Sequence, residues 1–179
     1  MQPNEKAAQL FAAGYSCSQA MLASRAEQFG LSTETALKVS AAFGGGLGRQ
    51  GEVCGAVSGA LMIIGLKNGQ TTPEDKEAKE RTYALTRRFT AEFTNRKGAI
   101  HCRSLLGCQI GTPEGWQQAQ EQNLFKTICP GLVAEAANIL AEILDEDYRV
   151  GLTRVDTGST EKQAGAVAHA GYRGNRYGE

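Results

Sequence analysis

Apolar positions recur along this chain at the three- and four-residue spacing of helices, and the runs are cut by glycine and proline. Residues 4–13 place Ala7, Ala8, Leu10, Phe11 and Ala12 in one short helix, which Gly14 ends. Ser16 or Cys17 opens a second helix to about Phe29, with Ala20, Met21, Leu22 and Ala26 on its apolar side, and Gly30 closes it. Ser32 caps a third, carried by Ala36, Leu37, Val39 and Phe43. Residues 43–51 hold too much glycine for the interior of any regular element, so they predict a loop with unusual backbone angles. Residues 54–67 pass from small residues to Leu61, Met62, Ile63, Ile64 and Leu66 and are apolar nearly all round, the pattern of a buried central helix.

Thr72-Pro73-Glu74-Asp75 predicts the start of an amphipathic outer helix running to about Asn95, with Ala78, Tyr83, Leu85, Phe89 and Phe93 on one face. A short helical turn follows at residues 101–106, and Thr112-Pro113-Glu114 repeats the proline-type start. Cys129-Pro130 opens a last helix, in which Leu132, Val133, Ala136, Ile139, Leu140, Ile143 and Leu144 keep helical spacing. No alternating strand pattern and no repeat stand out. The expectation is an all-α, single-domain bundle of about five to seven helices over residues 1–148, with a glycine-rich loop before the central helix. Residues 149–179, polar and glycine-rich, predict a flexible C-terminal extension.

With 179 residues and 41% apolar content the chain can fill one core. Nineteen basic side chains balance nineteen acidic ones, which removes any general pull toward nucleic acid or an anionic membrane. Tyr172, Arg173, Arg176 and Tyr177 interleave aromatic and basic character, but a solvated end is the plainer reading of them. The longest apolar run, residues 60–66, is far short of a bilayer span, and the first residues are polar, so a cytoplasmic protein without a membrane span is expected.

The chemistry-bearing residues are Cys17, Cys54, Cys102, Cys108 and Cys129. They are odd in number, widely spread, and contain no Cys-x-x-Cys, which argues against a disulfide framework or a thioredoxin-type dithiol. Four of them, Cys17, Cys54, Cys102 and Cys129, fall at predicted helix starts, where free N–H groups favour thiolate over thiol and can lower a cysteine pKa from about 8.5. Buried cysteines are commonly inert packing. Four at helix starts and none within a helix favour convergence on one metal, iron-sulfur or disulfide site. Cys108 reads as a resolving thiol or filler, and His101 and His169 are not assigned as ligands. The glycine loop lacks the Gly-Lys-Ser/Thr of a phosphate loop and any preceding strand; its glycines more simply let the backbone fold closely around Cys54, with Arg49 and Glu52 pulling that thiol in opposite directions.

On these residues the chain resembles a redox-active family named for its cysteine pattern, C_GCAxxG_C_C. Cys54-Gly55-Ala56-Val57-Ser58-Gly59 matches a CGAxxG motif in full. Residues 45–53 are similar to the family's glycine-rich approach, residues 14–20 to its first cysteine block, and Cys102 and Cys129 supply the remaining two. The likeness spans about residues 4–144; Cys108 and the extension depart from it. The resemblance implies a small helical protein with redox activity but no defined reaction. The resulting expectation is a protein whose four cysteines bind an iron-sulfur cluster or other thiolate-bound metal and serve an unidentified redox partner or small-molecule substrate. The rivals are a metal-free thiol-disulfide oxidoreductase or sensor in which Cys54 attacks, and a zinc-stapled structural or interaction module.

Overall fold

The computed structural model describes residues 2–155, and residues 156–179, with His169 and the aromatic-basic tail, lie outside them. The described part is all-α. Its α-helices are α1 (Pro3–Ala12), α2 (Cys17–Arg25), α3 (Thr33–Ser40), α4 (Gly55–Asn68), α5 (Lys76–Lys97), α6 (Cys102–Leu106), α7 (Pro113–Glu121), α8 (Leu124–Thr127) and α9 (Cys129–Val155). Short 3₁₀ turns, Ala26–Phe29 and Ala41–Phe43, extend α2 and α3. The nine α-helices among the described residues exceed the expected five to seven by two short pieces: α6, of five residues, and α8, of four, which is cut from α7 where Asn123 adopts a left-handed backbone, φ 53°.

Most helix boundaries follow the capping chemistry of the sequence. Ser16 accepts the Gln19 N–H while the Gln19 side chain returns to the Ser16 N–H, and Ser32 and Thr112 each accept an N–H three residues on. The start of α5 departs from the expectation. Thr72 and Pro73 lie in a preceding turn, and Asp75 is the cap, accepting the Ala78 N–H at 3.0 Å. A carboxylate forms a charge-assisted bond there that the threonine hydroxyl cannot match.

Helix α4 is the pivot of the core. It packs against α2, α5 and α9, and its Ala56, Val57, Ala60, Ile63 and Ile64 are fully buried. Met21 and Leu22 meet it from α2, Phe89 and Phe93 from α5, and Val133, Ile139 and Leu140 from α9. The approach of α2 depends on glycine: a Cβ at Gly59 would lie 2.6 Å from Met21 Cβ and 2.9 Å from the Ser18 carbonyl oxygen. Ser18, buried at this contact, donates to the Ser40 carbonyl at 2.8 Å, so its hydroxyl is satisfied. On the surface Arg96 of α5 reaches Glu135 and Glu142 of α9, and Lys97 joins Glu135, a network that fastens the two longest helices together. Residues 124–146 are long and apolar enough to cross a bilayer by length and composition, and half of that window is buried inside the bundle.

Two glycines of α4 offer a paired test of this packing. Gly59→Ala should lower the denaturant midpoint, costing about 1–3 kcal/mol through overpacking against α2. Gly65→Ala, with nothing within 4 Å of the added Cβ, should be neutral or stabilising by up to about 1 kcal/mol through helix propensity. Equal effects at the two positions would refute the close α2–α4 contact.

Candidate redox site

The glycine loop and a short polar segment far along the chain form a backbone clasp. Cys54 N–H donates to the Ile100 carbonyl at 2.8 Å, Cys102 N–H to the Glu52 carbonyl at 2.7 Å, and Arg103 N–H to the Gly51 carbonyl at 2.9 Å. Val53 and His101 form an isolated antiparallel bridge, which is the β pairing found among the described residues. The side chains of Glu52 and Arg103 close the same clasp with a 2.5 Å ion pair. It starts α4 and α6 side by side and sets Cys54 beside Cys102. The glutamate expected to oppose thiolate at Cys54 is thus engaged with Arg103.

Glycine makes this fit. Gly46, at φ 66°, sits so close that a Cβ would fall 2.5 Å from the Glu52 oxygen and 2.9 Å from Cys102 Cβ. The loop expected to wrap Cys54 therefore presses its tightest point against Cys102. A Cβ at Gly55, the first residue of α4, would stand 3.2 Å from Cys17 Cβ, so the small residue after Cys54 admits the start of α2.

Cys17 and Cys102 are the first residues of α2 and α6, Cys54 is the N-cap of α4, and Cys129 begins α9. All four line one cavity of about 860 Å³. Cys54, Cys102 and Cys129 are 1%, 5% and 5% exposed, while Cys17 is half-buried and is the most accessible of the set. Cys108 does not line the cavity; it is packed beside Cys102, Ile110 and Cys129 in a smaller apolar cluster. His101, the N-cap of α6, contributes its backbone to the clasp and is not part of the cavity wall.

The protonation states differ from the simple expectation of four lowered pKa values. A hydrogen bond from the Cys17 S–H to the Cys129 sulfur holds Cys129 below its ordinary value, against the cost of its burial. The same bond, followed by burial and the neighbouring sulfurs, pushes Cys17 well up. Burial pushes Cys54 up to about 11, although the Ala56 and Val57 N–H groups at the start of α4 pull the other way. Burial and then the charges of Cys54, Cys129 and Cys108 push Cys102 up to about 12. The helix-start effect acts on Cys54 through the Ala56 and Val57 N–H groups, and burial exceeds it there.

Of the four sulfurs, Cys129 is therefore the one eased toward ionisation, and the other three are held toward the thiol form. The donor chemistry suits a thiophilic guest: four sulfurs, no carboxylate in the cavity wall, and N–H groups directed at Cys54. The sulfurs do not form a preassembled ion cage. Among the described residues no three His, Cys, Asp or Glu side chains are grouped so as to hold a metal ion.

Sequence reasoning did not single out Trp116, Phe125 or Lys126, which line the cavity together with Arg49. Trp116 is the sole tryptophan in the chain, a signal that was available. Its ring stacks at a tilt on Phe125, centroids 4.9 Å apart, and the Arg49 guanidinium lies 4.2 Å from the Trp116 ring centroid.

Comparison with known families gives one match. A family model described as putative redox-active protein (C_GCAxxG_C_C) covers residues 15–143, well over half of the chain. No curated protein matches the chain. No solved structure matches it.

Carbon-13 NMR of Cβ-labelled cysteine in the reduced, metal-free protein should show Cys129 ionising first, below its ordinary value, with Cys54 and Cys102 following at about 11 and 12. Cys17→Ala removes the donor and should move the Cys129 step upward. Because Cys54 and Cys102 hold their protons more tightly when folded, they favour the fold below the ordinary thiol pKa. That contribution is lost as pH climbs through about 11 and 12. A common titration of all four sulfurs near pH 8.5 would contradict this ordering.

Proposed function

This chain belongs to the C_GCAxxG_C_C family of redox-active proteins, and we propose that its redox chemistry takes place in the four-cysteine cavity, on an iron-sulfur cluster or another thiophilic metal centre. Cys17, Cys54, Cys102 and Cys129 would hold that centre, and an electron partner or small-molecule substrate would meet it through the cavity. One observation carries the reading: four cysteines spread from position 17 to position 129 are delivered by four separate helix starts to the wall of one cavity. When bound, such a centre supplies one-electron transfer at a potential tuned by burial and by hydrogen bonds to its sulfurs. The chain's own contribution is then plain. Burial excludes water from three of the sulfurs, the N–H groups of Ala56 and Val57 stabilise negative charge on Cys54, and Cys17 is the most exposed residue of the four.

Loading must expel the protons that Cys17, Cys54 and Cys102 hold more tightly than ordinary thiols.

A second reading has its own support in the Cys17–Cys129 hydrogen bond. The Cys129 thiolate would attack a substrate disulfide and release one thiolate, and Cys17 would then resolve the mixed disulfide. The protein gains one S–S bond, the substrate becomes one thiolate and one thiol, and the Cys17 proton leaves with the second sulfur released. Cys54, buried and with its pKa raised, is poorly suited to the attacking role expected of it.

Anaerobic reconstitution should yield a brown protein with near-stoichiometric iron and sulfide, taken up more readily as pH rises. Cys54→Ser and Cys102→Ser should each lose most of that iron, whereas Cys108→Ser should retain it. A colourless, iron-free product would overturn the cluster reading. In that case mild oxidation followed by mass spectrometry decides the second: loss of two hydrogens confined to Cys17 and Cys129 supports it, and indiscriminate oxidation of all five cysteines refutes it.

A further inference from the structure

The cavity is larger than four sulfurs need, and the rest of its wall has a different chemistry. About 860 Å³ lies within the size range of small-molecule sites. Beyond the cysteines the lining is mostly apolar, with Trp116 and Phe125 forming an aromatic face and Arg49 and Lys126 supplying two positive charges. The wall contains no Asp or Glu, and neither cation has a carboxylate partner among the described residues.

Arg49 is held in place by its backbone. Its φ of 70° is in the left-handed region that side-chain-bearing residues rarely adopt, and the turn keeps it there by a 3.1 Å bond from the Arg49 N–H to the Gly44 carbonyl. A Cβ at Gly45 would come within 3.0 Å of the Arg49 Cα, so the loop packs against it closely. Backbone strain of this kind collects at ligand clamps. A guanidinium offers a planar fork of N–H donors that matches a carboxylate, and the ring contact holds that of Arg49 at the Trp116 face.

From this wall we infer that the cavity binds a small organic acid with an aromatic or similarly apolar body. Its carboxylate is taken by Arg49 with Lys126 as a second charge, and its body lies along Trp116 and Phe125 within reach of the cysteines. The inference rests on the redox reading above in one respect: it names the substrate class of that same site.

Trp116, as the only tryptophan, reports on the wall directly. Phenylacetate added to the reduced full-length protein should produce a saturable change in tryptophan fluorescence and a matching calorimetric isotherm. Phenylacetamide, which keeps the body and loses the charge, should bind at least about ten-fold more weakly, and so should inorganic phosphate, which keeps charge and loses the body. Arg49→Gln should weaken phenylacetate by about ten-fold or more, and Arg49→Lys should fall between it and the parent. Lys126→Gln, on a different element, should weaken it less, and gives an independent reading if the Arg49 variants fail to fold by circular dichroism.

Phenylacetamide or phosphate binding as well as phenylacetate, or variants that bind like the parent, would overturn the inference. Iron lost on Arg49→Gln with phenylacetate binding intact would instead assign that charge to the sulfur centre, and the inference would again fail. The two readings separate in the parent protein. Phenylacetate binding without iron and sulfide uptake sinks the cluster and leaves the pocket, and uptake without phenylacetate binding does the reverse.

Discussion

The site depends on three backbone hydrogen bonds between residues 51–54 and residues 100–103. Without them α4 and α6 have no reason to begin side by side, because α6 is too short to bury much surface of its own. The clasp is a piece of β geometry in an all-α fold, used once among the described residues, at the point where two cysteines from distant parts of the sequence must meet. It needs an extended segment stripped of bulk, and the glycines around it meet that need. Gly46 lets the loop lie against Cys102 and the Glu52 backbone, and Gly51 offers its carbonyl to Arg103. The other two cysteines arrive by ordinary helix packing, with α2 seated on α4 through Gly55 and Gly59, and α9 packed against α1, α4 and α5.

Once the helix starts are brought together, two effects act on sulfur in opposite directions. Each start offers N–H groups that stabilise negative charge, and the shared burial opposes it. The result is a division of labour. Cys129 is the sulfur held below its ordinary pKa, Cys17 holds it there by hydrogen bonding, and burial pushes Cys54 and Cys102 up. A site of this kind resists stray oxidation at its buried thiols, since the thiolate is the reactive form, and still presents a full set of sulfurs to a guest able to displace hydrogen ions.

Much of this was legible in the sequence. Helical periodicity located the core helices, the all-apolar residues of α4 marked the centre, and the position of each cysteine beside a turn or proline gave the four helix starts. The start of α5 was misplaced because Thr72-Pro73 and Asp75 both carry cap chemistry, and only the fold shows which one accepts an N–H. The clasp was not legible, since a bridge of two residues held by main-chain atoms leaves no alternation of side chains to read. The pKa ordering was missed for a similar reason: proximity to a helix start is local in sequence, whereas burial and the distances between sulfurs belong to the tertiary structure. The Arg49–Trp116–Phe125 wall joins three separate segments, and periodicity says nothing about such a meeting.

The order in which the cysteines occur along the chain has a consequence for biosynthesis. A ribosome releases Cys17 and Cys54 long before Cys129, yet the cavity has no complete wall until the helix that Cys129 begins has emerged and docked. A nascent chain therefore offers loose thiols but no pocket, and any chemistry that needs all four sulfurs must wait until α9 has docked.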